Sequence, residues 1–490
     1  MRGFLASSIG VTCAAALALP LIPPAVAAPA RAALGAEAAT SATVAAGPAM
    51  RRAGVEPDVP GSTQSLPLTP LTRDRATGTP APAPGEQGLS RRDVPSFSLV
   101  GVIWDDADTE LHGRVQVRTR AVAGGRWSGW QDVETHNAEH APDPDTAERA
   151  SGGVRGSTAP LWVGESDGVD VRVTPETAEP GPEEGPMGGD DTAVDPTAIT
   201  PLPAGLRLEL VDPGEPAPAQ SDPGPRPGSL TPGTTGSAGR AEALAAAAAN
   251  AELAPLGAAE IPELGRVETE RELLALRGPE LTEAQRAKPY IGPRPRIVTR
   301  RGWGANETWR EKRFAYTRKV KAAFVHHTAS GGTYWCTQAP SLIRGIYRYH
   351  VKSMRWRDLG YNFLVDKCGN IYEGRAGGVA KPVLGAHTLG FNSDSMGIAV
   401  LGSYGSRKPT IAAVRAIARL TAWKLGLYGA NPRGKTYLKS GGGNLYRKGK
   451  NVRLNVISGH RDGFSTACPG LQLYRKLGSA RASAARLQGR

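Results

Sequence analysis

The chain has 490 residues, of which 6% are aromatic, with 61 glycines, 41 prolines and four cysteines. That length exceeds one ordinary core and predicts two or three domains, while few aromatics beside abundant Gly and Pro exclude a chain packed throughout. The net charge of +13 is split unevenly: of 59 Lys+Arg and 46 Asp+Glu, residues 291–490 hold 36 and 7 (+29), leaving 23 and 39 (−16) elsewhere.

Arg2, the apolar run "FLASSIGVTCAAALALPLI" and the small residues Ala25, Val26 and Ala27 predict a cleaved signal peptide over 1–27 and hence export. Cys13 lies inside it without a lipobox. No other apolar run is long enough for a span, so no stable membrane insertion is expected. Residues 28–93 are Ala/Pro-rich without periodicity and read as a disordered segment. Over 94–213, runs such as "SFSLVGVIWDD", "GRVQVRTRAV" and "GLRLELVDP" alternate with Gly, Asp and Pro turns. They predict an all-β, sandwich-like accessory domain. It shows no catalytic constellation. His136 and His140 stand without a cysteine or matched carboxylates, so a solvated loop is expected for both, and the core for Trp104, Trp127 and Trp130. Residues 214–290 read as linker, with a helix-prone stretch "AEALAAAAANAEL".

From 291 to 490 the pattern alternates. "KAAFVHHTA", "GYNFLVDKCGNIYEGR", "SMGIAVLGSY" and "VRLNVISGH" read as strands, and "APSLIRGIYRYHV" and "TIAAVRAIARLTAWKLGL" as amphipathic helices. An α/β domain with a mixed central sheet flanked by helices follows. Its charge suits a polyanion, and for an exported chain the candidate partners are anionic wall polymers, acidic lipid head groups or extracellular nucleic acid, among which charge alone does not choose. Nucleic acid is disfavoured by the export signal and by the lack of any such motif. The basic stretch 434–451 reads as a solvated insertion.

Chemistry gathers at strand ends. His326 and His327 close one strand, Tyr361 opens another, His387 lies in "GAHTLGFN", and His460 closes the last strand with Cys468 eight residues on. Strand-end histidines from two separate strands and a cysteine from the adjoining loop suit a zinc site with one open position, although strand-end histidines also serve as hydrogen-bonded packing. There is no HExxH. Removal of Cys13 leaves three cysteines, so either one thiol is free or two pair and one does something else.

Five ordered stretches, "RRGWGANE", "FVHHTAS", "DLGYNFLVDKCGNIYEGRAGG", "GAHTLGFNSDSMGIAVLG" and "GHRDGFSTACPG", carry a resemblance. Over about 297–475 the chain resembles the peptidoglycan recognition protein family, the type 2 N-acetylmuramoyl-L-alanine amidases. The resemblance implies zinc bound by His326, His460 and Cys468, with Tyr361 and Thr466 as catalytic residues. It implies hydrolysis of the amide between N-acetylmuramic acid and L-Ala of peptidoglycan. Members that only bind the wall have usually lost the cysteine. With Cys468 a ligand, Cys336 and Cys368 remain as a candidate disulfide. His327, His350, His387, Arg375 and Asn392 are candidate substrate contacts, each with a structural role as the alternative. Residues 94–213 resemble an accessory domain of secreted actinobacterial cell-wall amidases. The expectation is a secreted, cell-wall-associated, monomeric zinc hydrolase. The alternatives are a non-catalytic peptidoglycan receptor and a basic nucleic-acid-binding protein.

Overall fold

The computed structural model describes residues 61–72, 83–177, 199–215 and 237–490. Residues 1–60, which include the expected signal peptide, and residues 73–82, 178–198 and 216–236 lie outside the described residues.

The N-terminal domain is one antiparallel sheet of eight strands. Its main strands are β1 (Ser62–Pro67), β2 (Gln87–Trp104), β3 (Gly113–Ala121), β4 (Gln131–Val133), β5 (Leu161–Pro175) and β6 (Arg207–Asp212), ordered β1-β6-β2-β5-β3-β4. In β3, Val115 and Val117 point into the core while Arg114, Arg118 and Arg120 alternate outward. The long β2 and β5 change register between Arg92 and Phe97 and again before Leu99. Such bulges bend a strand, and β2 thereby serves β5 along one half and β6 along the other. Phe97, Val100, Val102, Leu208 and Leu210 fill the core with Trp104. Trp127 and Trp130 do not join them. They lie on the outer face, with the Arg118 guanidinium 5.4 Å from the Trp127 ring and that of Arg172 4.4 Å from Trp130. Outward-alternating arginines give the indoles a cation–π seat there.

The C-terminal domain is built on seven strands: β7 (Glu260–Ile261), β8 (Ile297–Val298), β9 (Ala322–His327), β10 (Phe363–Val365), β11 (Ile371–Glu373), β12 (Ser395–Val400) and, after the hairpin, β15 (Ile457–Gly459). Their order is β15-β9-β12-β10-β11-β8-β7. The central strands β9 and β12 are parallel and wholly buried, which is why they read as continuous apolar runs. The hairpin β13 (Lys435–Lys439) and β14 (Asn451–Asn455) carries the basic stretch 434–451. Helix α4 (Ile411–Gly426) packs behind the sheet, and its N-cap Thr410 accepts from Ala413 N at 3.1 Å. Cys336 and Cys368 are disulfide-bonded.

Two boundaries differ from the sequence reading. β1 falls in the stretch expected to be disordered; its "STQSLP" is polar and half-exposed, so composition hides it. The C-terminal domain begins well before 291. β7 pairs with β8, while α1 (Ser237–Ala248) and α2 (Arg266–Arg277) precede it, α2 placing Leu273 in the core. A strand of two residues has no periodicity to read.

The two domains share a core. Leu99, Ile103 and Val211 of the β domain pack against Leu342, Ile343 and Ile346 of helix α3 (Ala339–Arg348). Tyr349 Oη donates to Thr158 O at 3.1 Å, and Ser353 Oγ to Glu209 Oε2 at 2.6 Å. Among the described residues, no helix is long and apolar enough to cross a membrane.

Candidate metal centre

β9 and β15 are parallel neighbours in register Val325↔Gly459. The next residue on each strand is a histidine, so His326 and His460 meet at the carboxyl end of the sheet, ring centroids 4.5 Å apart. After His460 the chain turns through Arg461 and Asp462, and Asp462 Oδ2 accepts from Gly459 N at 2.9 Å. The loop then folds back. Arg461 N donates to Cys468 O at 3.1 Å, and Cys468 N to Thr466 Oγ1 at 3.0 Å. Cys468 Sγ thereby lies 3.8 Å from His326 Nδ1, while Thr388 Oγ1 stands 3.4 Å from the other nitrogen of that ring.

A fourth donor comes from the other domain. His140 ends a short turn, Ala138–His140, between β4 and β5. Its Nε2 is 3.7 Å from Cys468 Sγ, and its ring 4.5 Å from that of His460. The ligand atoms of His140, His326, His460 and Cys468 all lie within 4.8 Å of one another, and all four residues are buried. The expected solvated loop for His140 is thus overturned. Its surroundings are supplied by residues 186 to 328 positions along the chain, and nothing near it in sequence marks them.

These residues fit zinc. The S–N edge of a zinc tetrahedron with ordinary bond lengths is ~3.6 Å, close to the two sulfur–nitrogen separations. His140 Nδ1 and both ring nitrogens of His460 are buried without a hydrogen-bond partner, an arrangement folding does not leave uncompensated. Burial lowers the His140 pKa to about 3 and puts those of His326 and His460 well below the ordinary value, while raising the Cys468 thiol. The set is neutral alone, and a divalent cation reverses the balance for the thiol.

Tyr361 is buried beside the cluster, its ring 5.5 Å from His326 and 5.9 Å from His140. Burial, then the neighbouring Cys468 and Glu139, raises its hydroxyl pKa well above the usual value. The Thr466 hydroxyl donates to Glu139 Oε1 at 2.8 Å. Arg375 and Asn392 are also engaged by the β domain. Arg375 Nη1 and Nη2 each meet Glu148 at 2.9 Å, and Asn392 Nδ2 donates to Asp143 Oδ1 at 2.8 Å. Asp143 also takes Gly390 N at 2.6 Å, and Leu389 N donates to Glu139 O at 2.8 Å. Burial pushes Glu139 and Asp143 up to about 6 each.

The remaining histidines separate. His327 lines the small cavity over the cluster with Glu139, His140, Tyr361 and Thr466, its Nδ1 accepting from Tyr404 N at 3.3 Å. His350 is not among the four clustered donors but lies beside Tyr361, ring centroids 5.9 Å apart. Its Nδ1 accepts from Gly360 N at 3.1 Å and its ring stacks 4.5 Å from Trp356. His387 sits behind His326, ring centroids 5.3 Å apart, with Nδ1 3.0 Å from Thr388 Oγ1. Sequence reasoning missed His140, Glu139, Asp143 and Glu148. The one available signal was charge: an acidic run, "EHAPDPDTAE", in the acidic half of a chain whose other half is basic.

Residues 316–471 match the family model described as "N-acetylmuramoyl-L-alanine amidase", and residues 48–196 the one described as "Rv3811 N-terminal galactose-binding domain-like". Peptidoglycan-recognition protein SC2 of Drosophila simulans is 31% identical over 183 residues, covering 37% of this chain and 84% of that protein. A human N-acetylmuramoyl-L-alanine amidase is 37% identical over 141 residues, 28% of this chain and 22% of the relative. Among solved structures, peptidoglycan recognition protein-LE in complex with tracheal cytotoxin, a monomeric diaminopimelic acid-type peptidoglycan, is 30% identical. It covers 37% of this chain and 92% of that one, with a TM-score of 0.29.

Proposed function

The chain belongs to the peptidoglycan-recognition protein family, and on that premise we propose that it is a secreted, zinc-dependent N-acetylmuramoyl-L-alanine amidase. It hydrolyses the amide between N-acetylmuramic acid and L-alanine of peptidoglycan. The observation that carries the reading is the convergence of His326, His460 and Cys468 beside Tyr361 and Thr466. A zinc ion held by the three would supply Lewis-acid polarisation of the scissile carbonyl and a water acidic enough to attack near neutral pH.

The other parts follow from this chain's own groups. Thr388 fixes the ring of His326 from behind. The Tyr361 hydroxyl, held protonated by burial, is a donor for the developing oxyanion and not a base. Thr466 holds the Cys468 loop through its oxygen, and its hydroxyl hydrogen is the second donor once Glu139 is out of reach. Arg375 and Asn392 are the proposed contacts for the acidic, amide-rich stem peptide, and His327 is a further lining residue. The net +29 of residues 291–490 draws the domain to anionic wall polymer.

The test is release of stem peptides from purified peptidoglycan by the full chain and by its His140→Ala variant, followed by mass spectrometry. Release that a chelator and Cys468→Ser both abolish supports the amidase. Binding without release by either chain makes it a receptor, and release that persists with zinc stripped refutes the metal role.

A further inference from the structure

Zinc sites divide by what fills the fourth position. Structural sites are closed by four protein ligands, and catalytic sites keep one position open. Here the three family positions, two imidazoles and a thiol, are joined by a third buried imidazole as a fourth donor, with all donor atoms within 4.8 Å. We propose that His140 is a fourth metal ligand, and that the acidic segment 138–148 of the β domain closes the substrate groove, making this a latent form of the protein.

The rest of the segment agrees with its histidine. Glu139 takes the Thr466 hydroxyl, and its carbonyl takes Leu389 N. Asp143 takes Gly390 N and Asn392 Nδ2. Glu148 takes both terminal nitrogens of Arg375, and its Oε1 also takes Arg357 N at 3.0 Å. Lys448 of the basic hairpin loop pairs with Asp145 at 2.6 Å. Thr466, Arg375 and Asn392, three of the groups that the proposed reaction assigns to substrate, are therefore already occupied by the segment at ordinary hydrogen-bond distances. An interface made only to hold two domains together has no need of a metal-ligating atom, and the shared apolar core around α3 already holds them. The charge split, −16 over residues 1–290 against +29 over 291–490, favours the same docking.

The inference rests on the amidase reading for its consequence but not for its coordination, so the experiment reads both. The full-length chain is loaded with Co²⁺, and its visible d–d spectrum is followed on adding azide. With four protein ligands the wild-type band does not respond to azide. In His140→Ala an exchangeable position opens and the band shifts, while stem-peptide release rises at least tenfold over wild type. Glu148→Ala, which leaves every proposed ligand in place, moves both readouts in the same direction, so failure of His140→Ala to fold does not decide the matter. A wild-type band that azide shifts as readily as that of His140→Ala overturns the ligation. Release by wild type equal to that of both variants overturns the latency. If the spectra behave as described and no chain releases peptide, the closed coordination stands and the amidase reading falls.

Discussion

Glu148→Ala is the sharpest perturbation of the domain interface. Glu148 and Arg375 are both buried, and their bidentate contact is supplemented by Arg357 N on the same carboxylate. Removing the carboxylate leaves the Arg375 guanidinium enclosed with only the carbonyls of Leu359 and Leu384 as acceptors. Breaking one side of such a buried pair costs about 3–5 kcal/mol, because the surviving charge stays desolvated. Undocking the segment returns Arg375 to water, so the cost falls on the docked state alone. At 1.36 kcal/mol per decade, the docking equilibrium shifts roughly 2 × 10²- to 5 × 10³-fold toward open. Hydrogen exchange reads this directly. The amides of Arg357, Leu389 and Gly390 donate to Glu148, Glu139 and Asp143 respectively, and their exchange should quicken by about that factor. Those of the buried strand β9 should not change. Uniform acceleration through β9 would show that the segment and the sheet open only by global unfolding, and would refute a separable closure.

Tyr361→Phe, in a chain that cleaves, should lower kcat by about 10²-fold, the usual cost of one oxyanion donor, with zinc content unchanged by metal analysis. Burial holds His350 at about 3, with His140 and Arg375 adding to the shift. The unfolded chain therefore binds the extra proton between the ordinary histidine value and that point, and stability is lost as pH falls through the window. His350→Asn removes this dependence. Its deficit relative to wild type in urea titrations should shrink by about 2 kcal/mol between pH 7 and pH 5.

The family ligands were legible because each sits in a motif at a strand end, and strand ends of a parallel sheet collect on one side of it. His326 and His460 needed only the register of β9 against β15 to meet. His140 was not legible for the converse reason. Its partners lie in another domain, so neither spacing nor periodicity connects "NAEHAP" to "GHRDGFSTACPG". The same holds for Arg375, whose candidacy as a substrate contact came from its own loop while its carboxylate partner lies 227 residues away. The fold class was readable from alternation in β3 and apolar runs in β9 and β12. The edges were not, since β1 is polar and β7 and β8 are two residues each.

The acidic segment and the groove it fills belong to one covalent chain. Its reclosure is therefore unimolecular, governed by the effective concentration that the covalent connection imposes. Dilution into a large volume does not release such a lock, whereas it would release a separate inhibitor subunit. A free peptide copying residues 134–150 must reach that effective concentration to compete.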